Sequence, residues 1–222
     1  MKASRNHERL RPYAIIPMCA LFCTAVSGCQ LLYFAVSQKK EQMPAEFGQL
    51  AGERIAVVVW AEPATLDLDP FARHRVGKSV RYHMLKGMPD TYFVDTRDVD
   101  EMQERMGSRW EGWSHQRICE HLKCDRIVWI DLMAYTTRLH HAGALRKGRI
   151  EATVNVFAGS ADMGVESRYD DEISATFPER ATAITINMSD SDILHNTVEL
   201  FAQIVARKFY NHERPYTRKN VS

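Results

Sequence analysis

No G-x-S-x-G, H-E-x-x-H or phosphate-binding glycine loop occurs in this chain. It therefore lacks the common signatures of a serine nucleophile, a zinc hydrolase and a nucleotide cradle. Charge of one sign is missing as well: 29 Lys and Arg face 28 Asp and Glu, for a net +1. Residues 1–28 hold Lys2, Arg5, Arg9 and Arg11 against Glu8, and without their +3 the remainder carries −2. Phosphate backbones are bound by clustered Lys and Arg, so nucleic acid is not an expected partner. Arg146, Lys147 and Arg149 make a short basic cluster, and three such charges beside a turn read as a solvated loop.

Cysteine is scarce. Cys19 and Cys23 lie in an apolar run near the start, Cys29 follows it, and only Cys119 and Cys124 stand further on. Five residues apart on one helix, the last two would have Cα atoms about 8 Å apart, too far to bridge. A helix ending between them would bring them closer, so the pair reads as two small buried residues or as a disulfide. His115 and His121 lie beside them, but residues 115, 119 and 121 cannot all point one way on a helix. The spacing matches no usual zinc pattern, and neither a metal nor a small-molecule cofactor is expected.

What the chain does have is a leader. Residues 1–11 are polar and basic, and Ala14–Val26 is apolar apart from Thr24, with Pro17 inside. That is the n-region and h-region of a secretory signal. Val26-Ser27-Gly28-Cys29 closes it and resembles the bacterial lipoprotein signal, in which a small residue and a glycine or alanine precede the lipidated cysteine. The resemblance implies cleavage between Gly28 and Cys29, a thioether-linked diacylglycerol on Cys29 and attachment to a membrane. Gln30 in place of an Asp implies the outer membrane, with the protein facing the periplasm. The rival reading is an uncleaved transmembrane helix, since Ala14–Ser37 gives 24 uncharged residues, enough to span. Both readings place the chain beyond residue 37 outside the cytoplasm.

Residues 37–53 read as a polar tether with Pro44, Gly48 and Gly52. Arg54–Trp60 is a Val-rich run, the mark of a strand buried on both faces. Ala61–Asp69 reads as a loop. Pro70 opens a helix on which Phe71, Val76, Val80 and Met84 recur at helical spacing and which Gly87 ends. His74 and His83 sit on it as half-exposed residues. A short strand at Thr91–Asp95 leads, through an Asp95 or Thr96 cap, into a helix at Arg97–Met106. Gly107–Gly112 links to a helix capped by Ser114. Trp110 and Trp113 bracket this linker, as local packing or as an anchor for a partner.

Asp125–Tyr135 is the most apolar strand, with Val128, Ile130, Leu132 and Ala134 on its core face. Asp131 is the one carboxylate embedded in it, a structural residue or, with His140 or His141, a site. A hairpin follows, with a bulge expected near Asp170–Glu172 because Asp171 falls in the inward series. The last helix is capped by Ser189 or Ser191 and carries Ile193, Leu194, Val198, Phe201, Ile204, Val205 and Phe209 as one stripe. Residues 211–222 read as a disordered tail. The order predicts a single α/β domain over 54–210, a central mixed sheet flanked by helices and ending in a long C-terminal helix.

Ile55-Ala-Val-Val-Val, Phe93-Val94-Asp95 leading into a helix, and Cys124-Asp125-Arg126-Ile127-Val128 before a long hairpin are similar to a bacterial envelope group. It comprises the curli-secretion lipoproteins, the lipoprotein activators of penicillin-binding proteins and the N-terminal domain of TolB. That group commonly has Gly-Ala-Asp where this chain has Lys123-Cys124-Asp125. The resemblance implies a non-catalytic assembly or regulatory adaptor that binds another envelope protein. A small periplasmic enzyme centred on Asp131 and a histidine is the alternative.

Overall fold

The computed structural model describes residues 40–136, 147–159, 168–179 and 187–215. Two compact units divide the chain: Pro44–His212, and residues 1–43 with 213–222. Of the second, the described part is β1 (Lys40–Met43) and the end of β7 (His212–Pro215), which form a two-stranded sheet. Cys29, Gly28 and the apolar leader lie outside the described residues. Among those described, no helix is long and apolar enough to cross a membrane.

The larger unit is the mixed α/β fold that the sequence implies. β2 (Arg54–Ala61) pairs in parallel with β3 (Tyr92–Phe93) and β4 (Arg126–Thr136), while β4, β5 (Gly148–Ala158) and β6 (Tyr169–Phe177) run antiparallel. The strand order is β3-β2-β4-β5-β6. Helices α1 (Pro63–Leu68) and α2 (Ala72–Gly87) connect β2 to β3. α3 (Thr96–Met106), a 3₁₀ turn at Gly107–Gly112 and α4 (His115–Leu122) connect β3 to β4. α5 (Asp190–Arg207) closes the unit.

Two cores sandwich the sheet. On one face Val57, Val59, Val128, Ile130, Val154 and Ile173 meet α2 through Val76, Val80 and Met84, and α5 through Val198, Phe201 and Val205. On the other, Ala56, Val58 and Ile127 meet Val99 and Met102 of α3, Trp110, and Ile118 and Leu122 of α4. β2 is thus covered on both sides, which is why it shows no polar alternation.

Local chemistry explains the helix ends. Asp95 caps α3 by accepting from Arg97 N–H at 3.0 Å, and Ser114 caps α4 by accepting from Arg117 N–H at 3.2 Å. Ser189 and Asp192 form a reciprocal capping box on α5, satisfying donors that the first helical turn leaves open.

Several expectations are corrected. Residues 63–68 are helical rather than a loop, with Pro63 at the first helical position, where its missing N–H costs nothing. α2 starts at Ala72, and Phe71 stands 62% exposed at its cap instead of joining the buried stripe. Part of the expected tether is packed: Leu50 is fully buried, Phe47 lies against Phe209 and Tyr169, and Glu46 and Phe47 N–H both donate to Lys208 O. The irregularity in the sheet falls in β4 between Leu132 and Ala134, not in β6. The slip brings Tyr135 rather than Ala134 against the core. β6 keeps Asp171 inward without a bulge because Lys208 Nζ, at 2.9 Å, and Tyr169 Oη, at 3.2 Å, answer its carboxylate.

Candidate interaction surface

Trp110, read as local packing or as an anchor for a partner, is completely buried and tilts against Trp129 with 5.8 Å between ring centroids. The guanidinium of Arg73 covers its ring at 5.9 Å. It is a core residue, because the 3₁₀ turn rolls it under α3. Trp113 is half-buried, with Arg117 over its face at 4.3 Å and His121 at its edge.

The His/Cys cluster comes apart in three dimensions. His115 stacks on Phe157 at 3.6 Å, and burial pushes its pKa down. His121 is exposed against Trp113, while Cys119 and Cys124 are buried free thiols. Among the described residues no group of three or more His, Cys, Asp or Glu could hold a metal.

Asp131 is half-buried between Trp60 of β2 and Thr153 of β5. Burial, and then the nearby Glu62 carboxylate, push its pKa up. His140 and His141, its suggested partners, lie outside the described residues.

The surface with the most to offer a partner is one that composition alone conceals. α2 carries Arg73, Arg75, Lys78, Arg81 and Lys86 and no acidic residue. Three of these are engaged: Arg73 on Trp110, Arg75 with Asp69 at 3.5 Å, and Arg81 on Val94 O at 2.8 Å. Lys78 and Lys86 are exposed, and no ion pair holds either one among the described residues. Phe71, Arg75, Lys78, Tyr82 and Leu85 follow one another at spacings of three and four, so they form one ridge. Tyr82 is 57% exposed and Leu85 39%.

Beside the ridge, a groove of about 710 Å³ separates α2 from α5, lined by Lys78, Tyr82, Leu194 and His195 among others. Its floor is fixed by Glu199, which accepts from Ser79 Oγ at 2.6 Å and lies 2.9 Å from His83 Nε2. Burial raises the Glu199 pKa, but the bonds from Ser79 and His83 outweigh it and hold the carboxyl below its ordinary value. His74 is likewise tied to Asp100 at 2.6 Å. The ridge presents the Lys78 ammonium between aromatic and aliphatic side chains, with exposed Lys86 one turn beyond Tyr82, a surface suited to an acidic, partly apolar partner. The run of basic residues without an acid was visible in the sequence; which of them stay unpaired was not.

No protein-family profile matches the chain, and no curated protein matches it. Solved structures share parts of its course. Lipoprotein GNA1162 from Neisseria meningitidis is 13% identical, with 64% of this chain and 96% of that one covered and a TM-score of 0.44. A PelC dodecamer from Paraburkholderia phytofirmans is 9% identical over 78% of this chain and 98% of that one, with a TM-score of 0.44. A minor lipoprotein from Acinetobacter baumannii is 13% identical over 72% and 92%, with a TM-score of 0.35. Likeness at this level decides neither family nor function. None of the three is named for the curli, penicillin-binding-protein activator or TolB group.

Proposed function

We propose that this protein is a lipid-anchored, non-catalytic envelope protein that binds an acidic envelope partner through the outer ridge of α2. The observation that carries the anchor is Val26-Ser27-Gly28-Cys29 behind a basic and apolar leader. Cys29 takes the lipid, Gly28 is lost with the leader, and Gln30 favours the outer membrane over the inner. The folded unit faces the periplasm. The contact face is supported by Lys78 and Lys86, which are left exposed on a helix without acidic residues. Phe71, Tyr82 and Leu85 add apolar contact beside those charges.

The non-catalytic reading is supported by how the titratable groups of α2 are used. His74 and His83 are each committed to a carboxylate. Glu199, at the floor of the groove, is held by Ser79 Oγ and His83 Nε2 and so ties two helices together.

Two measurements test the proposal. A Cys29→Ala variant should lose lipid label and leave the membrane fraction; retention at full precursor size would replace the lipid anchor with a transmembrane helix. A photo-crosslinking amino acid at position 82 should give one adduct with an envelope protein, weakened at least fivefold by Lys78→Glu with Lys86→Glu. Adducts insensitive to both charges would remove α2 as the contact face.

A further inference from the structure

Cys119 and Cys124 sit on either side of a left-handed turn. α4 stops at Leu122, Lys123 takes φ 53° and ψ 46°, and Cys124 N–H donates to Cys119 O at 3.0 Å. A continuous helix would hold the two residues about 8 Å apart; the reversal brings Sγ of Cys124 to 2.8 Å from Sγ of Cys119. Both are buried, at 2% and 8% exposure, in the apolar cluster with Ile118, Leu122 and Ile127. Opposite them is Gly159, where a Cβ would approach Cys119 Sγ to 2.7 Å and Cys124 O to 3.0 Å. The missing side chain there leaves the sulfurs room to meet. Cys124 also borders a cavity of about 600 Å³ lined by Glu53, Asp125, Arg126 and Gly159, which gives a reagent a way in.

We propose that Cys119 and Cys124 form a disulfide site, closed by exchange with a disulfide-bearing oxidant. The supply of such an oxidant rests on the extracytoplasmic location proposed above; the geometry of the site does not.

The steps balance. Cys124, at the cavity, loses its proton to solvent, and its thiolate attacks one sulfur of the oxidant. The oxidant's S–S bond breaks, and the departing sulfur takes a proton. Cys119 then loses its proton and attacks the Cys124 sulfur of the mixed disulfide, expelling the second oxidant thiol. Two electrons and two protons pass from the cysteines to the oxidant, which ends as two thiols. Cys119 suits the second role: its hydrogen bond with Cys124, and then burial, push its pKa up, and the first of these causes is removed once Cys124 is in the mixed disulfide. The closed bond ties the end of α4 to the residue that leads into β4.

The test uses the purified full chain equilibrated with glutathione disulfide, then denatured, alkylated and cut with trypsin. Cleavage after Lys123 falls between the two cysteines, so closure is read as a linked peptide pair lighter by two hydrogens than the separate thiols. The linked pair is expected, together with a Tm about 5 °C lower after reduction. Alkylation of both residues, or separate glutathione caps on each, would overturn the site whatever the compartment. The same protein alkylated during membrane isolation tests the location separately. Free thiols there, in a chain that closes in the tube, would count against the extracytoplasmic reading and leave the site standing.

Discussion

Arg126 presents Nε and Nη2 to the two carboxylate oxygens of Glu53, at 3.1 and 3.0 Å. The arginine side chain is 9% exposed and the glutamate 30%, so the pair joins the segment before β2 to the first residue of β4 at the edge of the interior. Glu53→Ala would leave a buried guanidinium without its counter-charge. A loss of about 2 kcal/mol in urea unfolding is expected, below the range for a fully buried pair because Glu53 keeps some solvent. A change within 0.5 kcal/mol would mean that Arg126 has another acceptor and that the pair is incidental.

Gly148 opens β5 directly beneath α5. A Cβ there would run into Thr197 Oγ1 and come within 3.0 Å of Thr197 Cβ and 3.1 Å of Ile193 Cγ2. Thr197 cannot easily turn away, since its hydroxyl donates to Ile193 O at 2.6 Å and the residue is fully buried. Gly148→Ala should therefore cost about 2 kcal/mol by overpacking. Adding Thr197→Ala should recover part of it, because the two changes share one contact. Strict additivity in denaturant titrations would show that the two positions do not press on each other.

Trp110 separates a packing role from a binding role. Among the described residues its buried indole N–H has no partner, so Trp110→Phe removes an unsatisfied donor as well as some volume and should cost about 1 kcal/mol. Trp110→Ala should cost about 4 kcal/mol by opening a cavity. An anchor for a partner would give the opposite pattern, with stability nearly unchanged and binding lost.

Asp131 gives a pH prediction with a definite sign. Its folded pKa lies above the unfolded value because of burial, and then Glu62. The native state therefore binds more protons than the unfolded state between those two values, and stability falls as pH rises through that window. Asp131→Asn should raise Tm at pH 7 and lose that advantage below the unfolded pKa, where the aspartate is protonated in both states. A variant less stable than the parent at pH 7 would reveal a cationic partner for Asp131.

Much of the architecture was legible because it is written in local periodicity. The unbroken Ile55–Val59 run announces a strand with cover on two sides, and Val198, Phe201 and Val205 announce the buried stripe of α5. Caps are local too: Asp95, Ser114 and Ser189 each bond to an N–H within three residues. The proposed contact face was less legible. The basic bias of α2 can be read residue by residue, but Arg73, Arg75 and Arg81 are engaged by Trp110, Asp69 and Val94 O, groups contributed from outside the helix.

The sequence by itself determined the order of β2 to β6 and of α2 to α5, though not the short helix α1, and the alternation that gives β5 and β6 their faces. Those features depend on residue type and on spacings within about one turn of helix or one strand. Only the tertiary structure decided that Trp110 is core, that Phe47 and Leu50 belong to the domain, and that Cys119 and Cys124 face each other. Each of those outcomes depends on a backbone reversal or on a neighbour remote in sequence: the turn at Gly107–Gly112, the carbonyl of Lys208, the left-handed Lys123. Burial is settled by what the chain folds back against.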